Sequence, residues 1–157
     1  MIAAKNILVA VDFAPASDAA LTYGRALARA FGATLHVFHV IENPFLRPTF
    51  GNPDDIRANI RDSLEARLTD DDRTALHARA VLETSDHPSE AIVGYATRAG
   101  IDLIVLGTHG RSGMERVLMG SVAEHVVRNA PCPVLTVRHP EREFVVPDER
   151  AKTVAAS

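Results

Sequence analysis

The chain has 157 residues, 46% hydrophobic and 24% charged, with a formal net charge of −3 at pH 7. That length suggests one domain with a sizeable core needing no disulfide or metal staples, and the mild acidity argues against a nucleic-acid partner, which needs a basic patch or stripe. The single cysteine, Cys132, excludes an intrachain disulfide. No apolar run approaches the roughly 20 residues of a membrane-spanning helix, and the N-terminal apolar segment is too short for an export signal. A cytoplasmic protein with no membrane partner is expected.

Asn6 to Val11 (NILVAV) is a nearly continuous apolar run, which suits a parallel strand buried on both faces. Asp12 ends it. Ser17 to Phe31 has helical spacing, with Ala20, Leu21, Gly24, Leu27, Ala28 and Phe31 on one side and Gly32 as the stop. Thr34 to Ile41 reads as a second strand. Glu42 to Pro53, with three prolines, a glycine and two asparagines, reads as a loop. Asp54 to Leu68 resumes helical spacing through Ile56, Ile60, Leu64 and Leu68. Thr69-Asp70-Asp71-Asp72 either kinks this helix or caps a second one continuing through Ala75, Leu76 and Ala78. The three aspartates read as a solvated turn or a helix cap, not a metal cage.

Arg79 to Glu83 predicts a short third strand, and Thr84 to Pro88 a turn. Asp86 or Ser89 is expected to cap the next helix, with Pro88 near its start. That helix runs through Ile92, Val93, Ala96 and Ala99 to Gly100. Leu103 to Gly107 is the fourth strand, followed by a glycine-rich loop. Ser121-Val122-Ala123-Glu124 has the capping-box pattern, with Ser121 as the cap of a helix reaching about Asn129. Val134 to Arg138 is the fifth strand. Residues 1–140 are expected to form the single domain and 141–157 a mobile tail.

Strands alternating with helices imply an α/β fold, a parallel sheet covered on both faces with right-handed crossovers. Ligands on such sheets bind beyond the carboxyl ends of the strands, at the switch in strand order. Asp12, Val40 and the glycine-rich loop fall at the ends of the first, second and fourth strands. Three distant segments therefore converge on one rim.

The loop carries the chemistry. Leu106 to Ser121, LGTHGRSGMERVLMGS, places Gly107, Gly110 and Gly120 in the spacing G-x2-G-x9-G, with Ser121 next. Glycine lets backbone N–H groups approach an anion without a Cβ in the way. A helix start adds further donors and the positive end of its dipole. The Lys-[Ser/Thr] ending of a Walker loop is absent, and the spacing is not the dinucleotide GxGxxG. It resembles the ATP-binding motif G-x2-G-x9-G-[S/T] of the universal stress protein family at all four defined positions. The resemblance extends through VAVDF, TLHVFHVIE, GIDLIVLGTHGRSG and GSVAEHVVRNAPCPVLTVR, from about Lys5 to Arg138.

The resemblance implies a five-stranded parallel sheet of order 3-2-1-4-5, like that of the adenine nucleotide alpha hydrolases. It implies ATP or another adenine nucleotide at the rim; a triphosphate ordinarily brings Mg2+. Carried over by position, Ala10, Val11 and Asp12 belong to the nucleotide-binding residues, Asp12 resembling the carboxylate that holds the ribose hydroxyls. The Val40 backbone resembles the adenine reader, and Gly107 lies beside the ribose. Gly110, Gly120, Ser121 and the Val122 amide resemble the phosphate cradle. His109 and Arg111 belong to the same binding loop; Arg111 and Arg116 flank it, and each reads either as a phosphate partner, which arginine suits geometrically, or as solvated surface charge. One departure is Ala14, where many family members place serine.

No catalytic residue and no metal ligand is expected. His109 has no nucleophile or carboxylate partner evident in the sequence, His36 and His39 read as packed strand residues, and no His/Cys spacing resembles a metal site. The implied function is a nucleotide-binding stress or signalling module. A slow ATPase or adenylate-handling hydrolase on the same fold is the alternative, and a ligand-independent interaction protein a third. Val134 to Val137 would lie at a sheet edge with no proline after Pro133 and one charge, Arg138. Such an edge invites antiparallel pairing into a homodimer across a two-fold axis.

Overall fold

Five short strands hydrogen-bond side by side through their backbones, and helices pack on both faces of the sheet. A computed structural model describes residues 1–42, 51–108, 120–138 and 145. His109, Gly110, Arg111, Arg116, residues 43–50 and the tail from 139 onward, apart from Val145, lie outside the described residues. The strands are β1 (Asn6–Ala10), β2 (Thr34–Ile41), β3 (Arg79–Thr84), β4 (Leu103–Gly107) and β5 (Val134–Val137). The helices are α1 (Pro15–Phe31), α2 (Pro53–Glu65), α3 (Asp70–Ala75), α4 (Pro88–Arg98) and α5 (Ser121–Asn129). The sheet order is β3-β2-β1-β4-β5, with every pairing parallel. This is the five-stranded arrangement implied by the resemblance.

Strand alternation sorts the core into two layers. Ile7, Val9, Leu35, Val37 and Val105 face Ala20, Leu21 and Ala28 of α1 and Leu64 of α2. Leu8, Phe38, Ile104 and Leu106 face Ile92 and Ala96 of α4 and Ala123 and Val126 of α5. Helix α1 crosses β1 very closely at Gly24, where a Cβ would lie 2.2 Å from Val9 Cγ2. Glycine at this helix position thus sets the depth of packing.

The segment after α2 is a second, separate helix. Thr69 Oγ1 accepts from the Asp72 amide at 3.1 Å, and Asp72 Oδ2 accepts from the Thr69 amide at 3.0 Å, a closed capping box. Asp70 and Asp71 are exposed, but Asp72 is fully buried. Its carboxylate receives Arg25 Nε at 2.8 and 3.0 Å, tying α3 to α1.

Two expected caps are corrected. Helix α4 is preceded by His87 as N-cap with no side-chain cap bond, not by Asp86 or Ser89. Pro88 occupies the first turn, where its missing N–H leaves one fewer donor to satisfy. Helix α5 has Gly120, not Ser121, as its N-cap, again without a side-chain bond. The Glu124 amide bonds to Gly120 O at 3.0 Å, which starts the helix one residue early, and the Glu124 carboxylate is engaged by Arg128 at 2.7 Å. The expected Ser121 capping box is therefore not formed.

Candidate functional site

The parallel register brings the carboxyl ends of β1, β2 and β4 to the same edge of the sheet. Ala10 pairs with Phe38 on one side and Leu106 on the other, and Val11 N–H extends the ladder to Phe38 O at 2.9 Å. Asp12 follows two residues after Ala10, just beyond the carboxyl end of β1. Ala10 is half-buried and Val11 buried, both as strand residues leading to the turn. Val40 is half-buried and packs in the α4/α5 layer.

Asp12 sits in a tight turn. Its Oδ1 accepts from the Ala14 amide at 3.0 Å, while its own amide donates to Ser17 Oγ at 3.2 Å. Ser17 Oγ donates onward to Ala14 O at 3.0 Å. The N-cap of α1 is Ala14, without a side-chain cap bond, so Asp12 does not cap this helix. Its carboxylate instead closes an Asx turn on its own chain. A carboxylate offers about four acceptor sites, so this bond leaves capacity for hydroxyl donors.

Phe13 completes the turn with φ +64°, the left-handed region. For a bulky residue this conformation costs on the order of 1–3 kcal/mol and persists only where the surroundings hold it. The Phe13 and His39 ring centroids lie 4.6 Å apart, and Arg67 Cζ lies over the Phe13 ring, 4.6 Å from its centroid. His39 Nδ1 is 2.7 Å from Val11 O, and Arg67 Nε donates to Asp18 Oδ1 at 3.0 Å.

Gly107 has a packing reason for being glycine. A Cβ there would lie 2.7 Å from the Ala16 carbonyl carbon and 2.8 Å from its oxygen, so the first turn of α1 passes directly over the end of β4. Thr108 follows, bonded through its amide to Val137 O and through its carbonyl to the Gly120 amide, each at 3.0 Å. The residue is buried, 6% exposed, and Oγ1 has no hydrogen-bond partner among the described residues. A buried polar atom without a partner is unusual.

Gly120, Ser121 and Val122 come together at the start of α5. Ser121 and Val122 are exposed. Their amides precede the first internal bond of the helix, and no side chain caps them. An uncapped helix start beside an unpartnered hydroxyl is chemically suited to an anion. The remaining predicted loop residues, His109, Gly110 and Arg111, lie outside the described residues. Thr108, Phe13 and Ser17 were missed in the sequence. The hydroxyl of Thr108 within the glycine loop was the signal available for the first; the strain at Phe13 has none.

The other titratable groups serve the core. His36 Nδ1 is 2.8 Å from Tyr95 Oη and Nε2 is 3.2 Å from Asn6 Oδ1. Burial, then the Arg79 guanidinium on the neighbouring strand, lowers the His36 pKa. A neutral ring donating from Nε2 to Asn6 and accepting at Nδ1 from Tyr95 satisfies both contacts. Burial, then Asp102, pushes the Cys132 thiol up, away from nucleophilic thiolate. Among the described residues no group of His, Cys, Asp and Glu could hold a metal ion, and no helix is long and apolar enough to cross a membrane.

The model of the Universal stress protein family matches residues 3–138. A universal stress protein of Methanocaldococcus jannaschii is 33% identical over 144 residues, covering 88% of this chain and 85% of the relative. The solved universal stress protein UspA from Lactobacillus plantarum is 29% identical, with a TM-score of 0.66, covering 88% of this chain and all of that one. Two further structures share the fold at TM-scores of 0.63 and 0.64 with 23% and 22% identity, covering 87% of this chain and 98% and 99% of theirs. They are a universal stress protein in complex with cAMP and one from Archaeoglobus fulgidus in complex with dAMP.

Proposed function

The chain belongs to the universal stress protein family, and we propose that it is an adenine-nucleotide-binding protein whose conformation or partners change with nucleotide occupancy, in stress response or signalling. The observation that carries this reading is the buried, unpartnered Thr108 hydroxyl beside the uncapped start of α5. That arrangement fits a phosphate: backbone amides supply donors, and a hydroxyl can donate one more. The cAMP and dAMP complexes of structural neighbours support an adenine nucleotide as the class.

In this reading Asp12 accepts from the ribose hydroxyls, the Val40 backbone meets the adenine, and Gly107 lies beside the ribose. Gly110, Gly120, Ser121 and the Val122 amide, with His109 and Arg111, surround the phosphates. ATP is the proposed ligand, with Mg2+ as companion of its phosphates. We further propose one domain over residues 1–140 in the cytoplasm. It would form a homodimer through β5, which among the described residues is an edge strand paired with β4.

Calorimetry on ligand-stripped protein tests the reading, with ATP titrated in the presence and absence of Mg2+. Saturable binding is expected. Gly120→Val should abolish it while leaving the circular dichroism spectrum intact. A chain that binds no adenine nucleotide at micromolar to millimolar concentration sinks the proposal.

A further inference from the structure

Phe13 is bulky, strained and adjacent to the proposed ribose-binding carboxylate, and no nucleotide contact is needed to explain its neighbours. Its ring contacts two residues, His39 from β2 and Arg67 from the segment after α2. Both holders are themselves anchored, His39 by Val11 O and Arg67 by Asp18. The residues on either side of Phe13 are joined by the bond from the Ala14 amide to Asp12 Oδ1. The left-handed backbone at Phe13 is what lets the chain turn sharply enough for that bond.

We infer that Phe13 is a positioning residue. Its clamped ring locks the Asp12–Ala14 turn and so fixes the carboxylate where it accepts from the ribose hydroxyls. This rests on the proposed role of Asp12. The clamp sits on the α1/α2 side of the sheet, whereas Val40 packs on the α4/α5 side. A side chain outside the nucleotide site thereby sets how well the site discriminates ribose from a sugar lacking hydroxyls. Without the ring, Asp12 keeps its charge but loses its fixed direction. A hydrogen bond to a freely rotating carboxylate carries the entropy of ordering it.

The test compares ATP with 2′,3′-dideoxy-ATP by calorimetry on the full chain and on Phe13→Ala, Phe13→Gly and Phe13→Tyr. The unsubstituted chain should prefer ATP by about tenfold, the scale of a hydrogen bond to a charged group. Phe13→Ala should reduce that preference to within about twofold while leaving dideoxy-ATP affinity unchanged. Phe13→Gly accepts the left-handed backbone without strain, so it stays folded, and it should lose the preference too. Phe13→Tyr should retain it. Amide exchange supplies a readout independent of ligand: the Ala14 N–H should lose protection in the alanine and glycine variants. Undiminished preference and undiminished Ala14 protection in those two variants overturn the inference alone. An unsubstituted chain that binds ATP with no sugar preference overturns the Asp12 role with it, and one that binds no nucleotide overturns the proposed function as well.

Discussion

The Gly120 amide donates to the Thr108 carbonyl at 3.0 Å, so the chain returns to the end of β4 before α5 begins. The same Thr108 carries the buried hydroxyl that has no hydrogen-bond partner among the described residues. The backbone of this residue is fully used and its side chain is left over. That contrast separates what the fold needs from what a ligand would use.

Thr108→Val replaces the hydroxyl by a methyl group of similar size. Leaving a buried hydroxyl unpaired costs about 1–3 kcal/mol, so the ligand-free variant should be as stable as the parent or more so. Its melting temperature should rise less on adding ATP than the parent's does, because the hydroxyl recruited by the ligand is gone. Differential scanning calorimetry with and without ATP measures both. Lower ligand-free stability combined with an undiminished ATP shift would mean the hydroxyl serves the fold.

Gly107→Ala should destabilise the protein whether or not nucleotide is present. The added Cβ meets the Ala16 backbone at 2.7–2.8 Å, and neither β4 nor the start of α1 can yield cheaply. Overpacking of this kind costs about 1–3 kcal/mol. Urea unfolding without ligand should show the whole loss. An unchanged midpoint would show that α1 is free to lift from the sheet edge.

Asp72→Ala removes the carboxylate that closes the α3 capping box and holds Arg25. Breaking one side of a buried ion pair costs about 3–5 kcal/mol, and the partial exposure of Arg25 places the expected loss near the lower end. Asp71→Ala, at an exposed position in the same run, should cost under about 1 kcal/mol. Parallel urea titrations of the two variants test the contrast. Equal losses would refute the separate role of Asp72.

His36 predicts a pH dependence of stability. Its folded pKa lies below the ordinary 6.5, because burial and Arg79 disfavour the charged ring. The unfolded chain then takes up the proton more readily than the native one. The stability from neutral His36 is therefore complete above about pH 6.5 and declines as the pH falls below it, until the native state can also be protonated. His36→Gln should flatten this part of the profile when unfolding free energy is compared between about pH 7.5 and about pH 5.5. An identical slope in parent and variant would assign the dependence to other groups.

Much of this molecule is legible in the order of its residues. Continuous apolar runs such as NILVAV mark strands buried on both faces, and the 3.6-residue spacing through Ala20, Leu21 and Leu27 marks α1. Both signals are local and are carried by neighbours along the chain. Helix caps were less legible. Ser121 and Glu124 match a capping box, yet the box forms at Thr69 and Asp72. The Gly120 carbonyl takes the Glu124 amide and Arg128 takes its carboxylate, so the pattern at Ser121 loses to local competition.

By itself the sequence determined the alternation of strands and helices, the parallel sheet, the family and the rim on which Asp12, Val40 and Gly107 would meet. Hydrophobic period and glycine spacing carry that information over a few residues at a time. Only the tertiary structure decided that Asp72 is buried against Arg25, 47 residues away in the chain. It alone showed that Ala16 leaves no room for a Cβ at Gly107, and that Phe13 adopts a left-handed turn in contact with His39 and Arg67. It also left the Thr108 hydroxyl without a partner among the described residues. Each of these depends on atoms from segments far apart in the chain coming within a few ångströms, a close packing set by the assembled core that no short stretch of residues encodes.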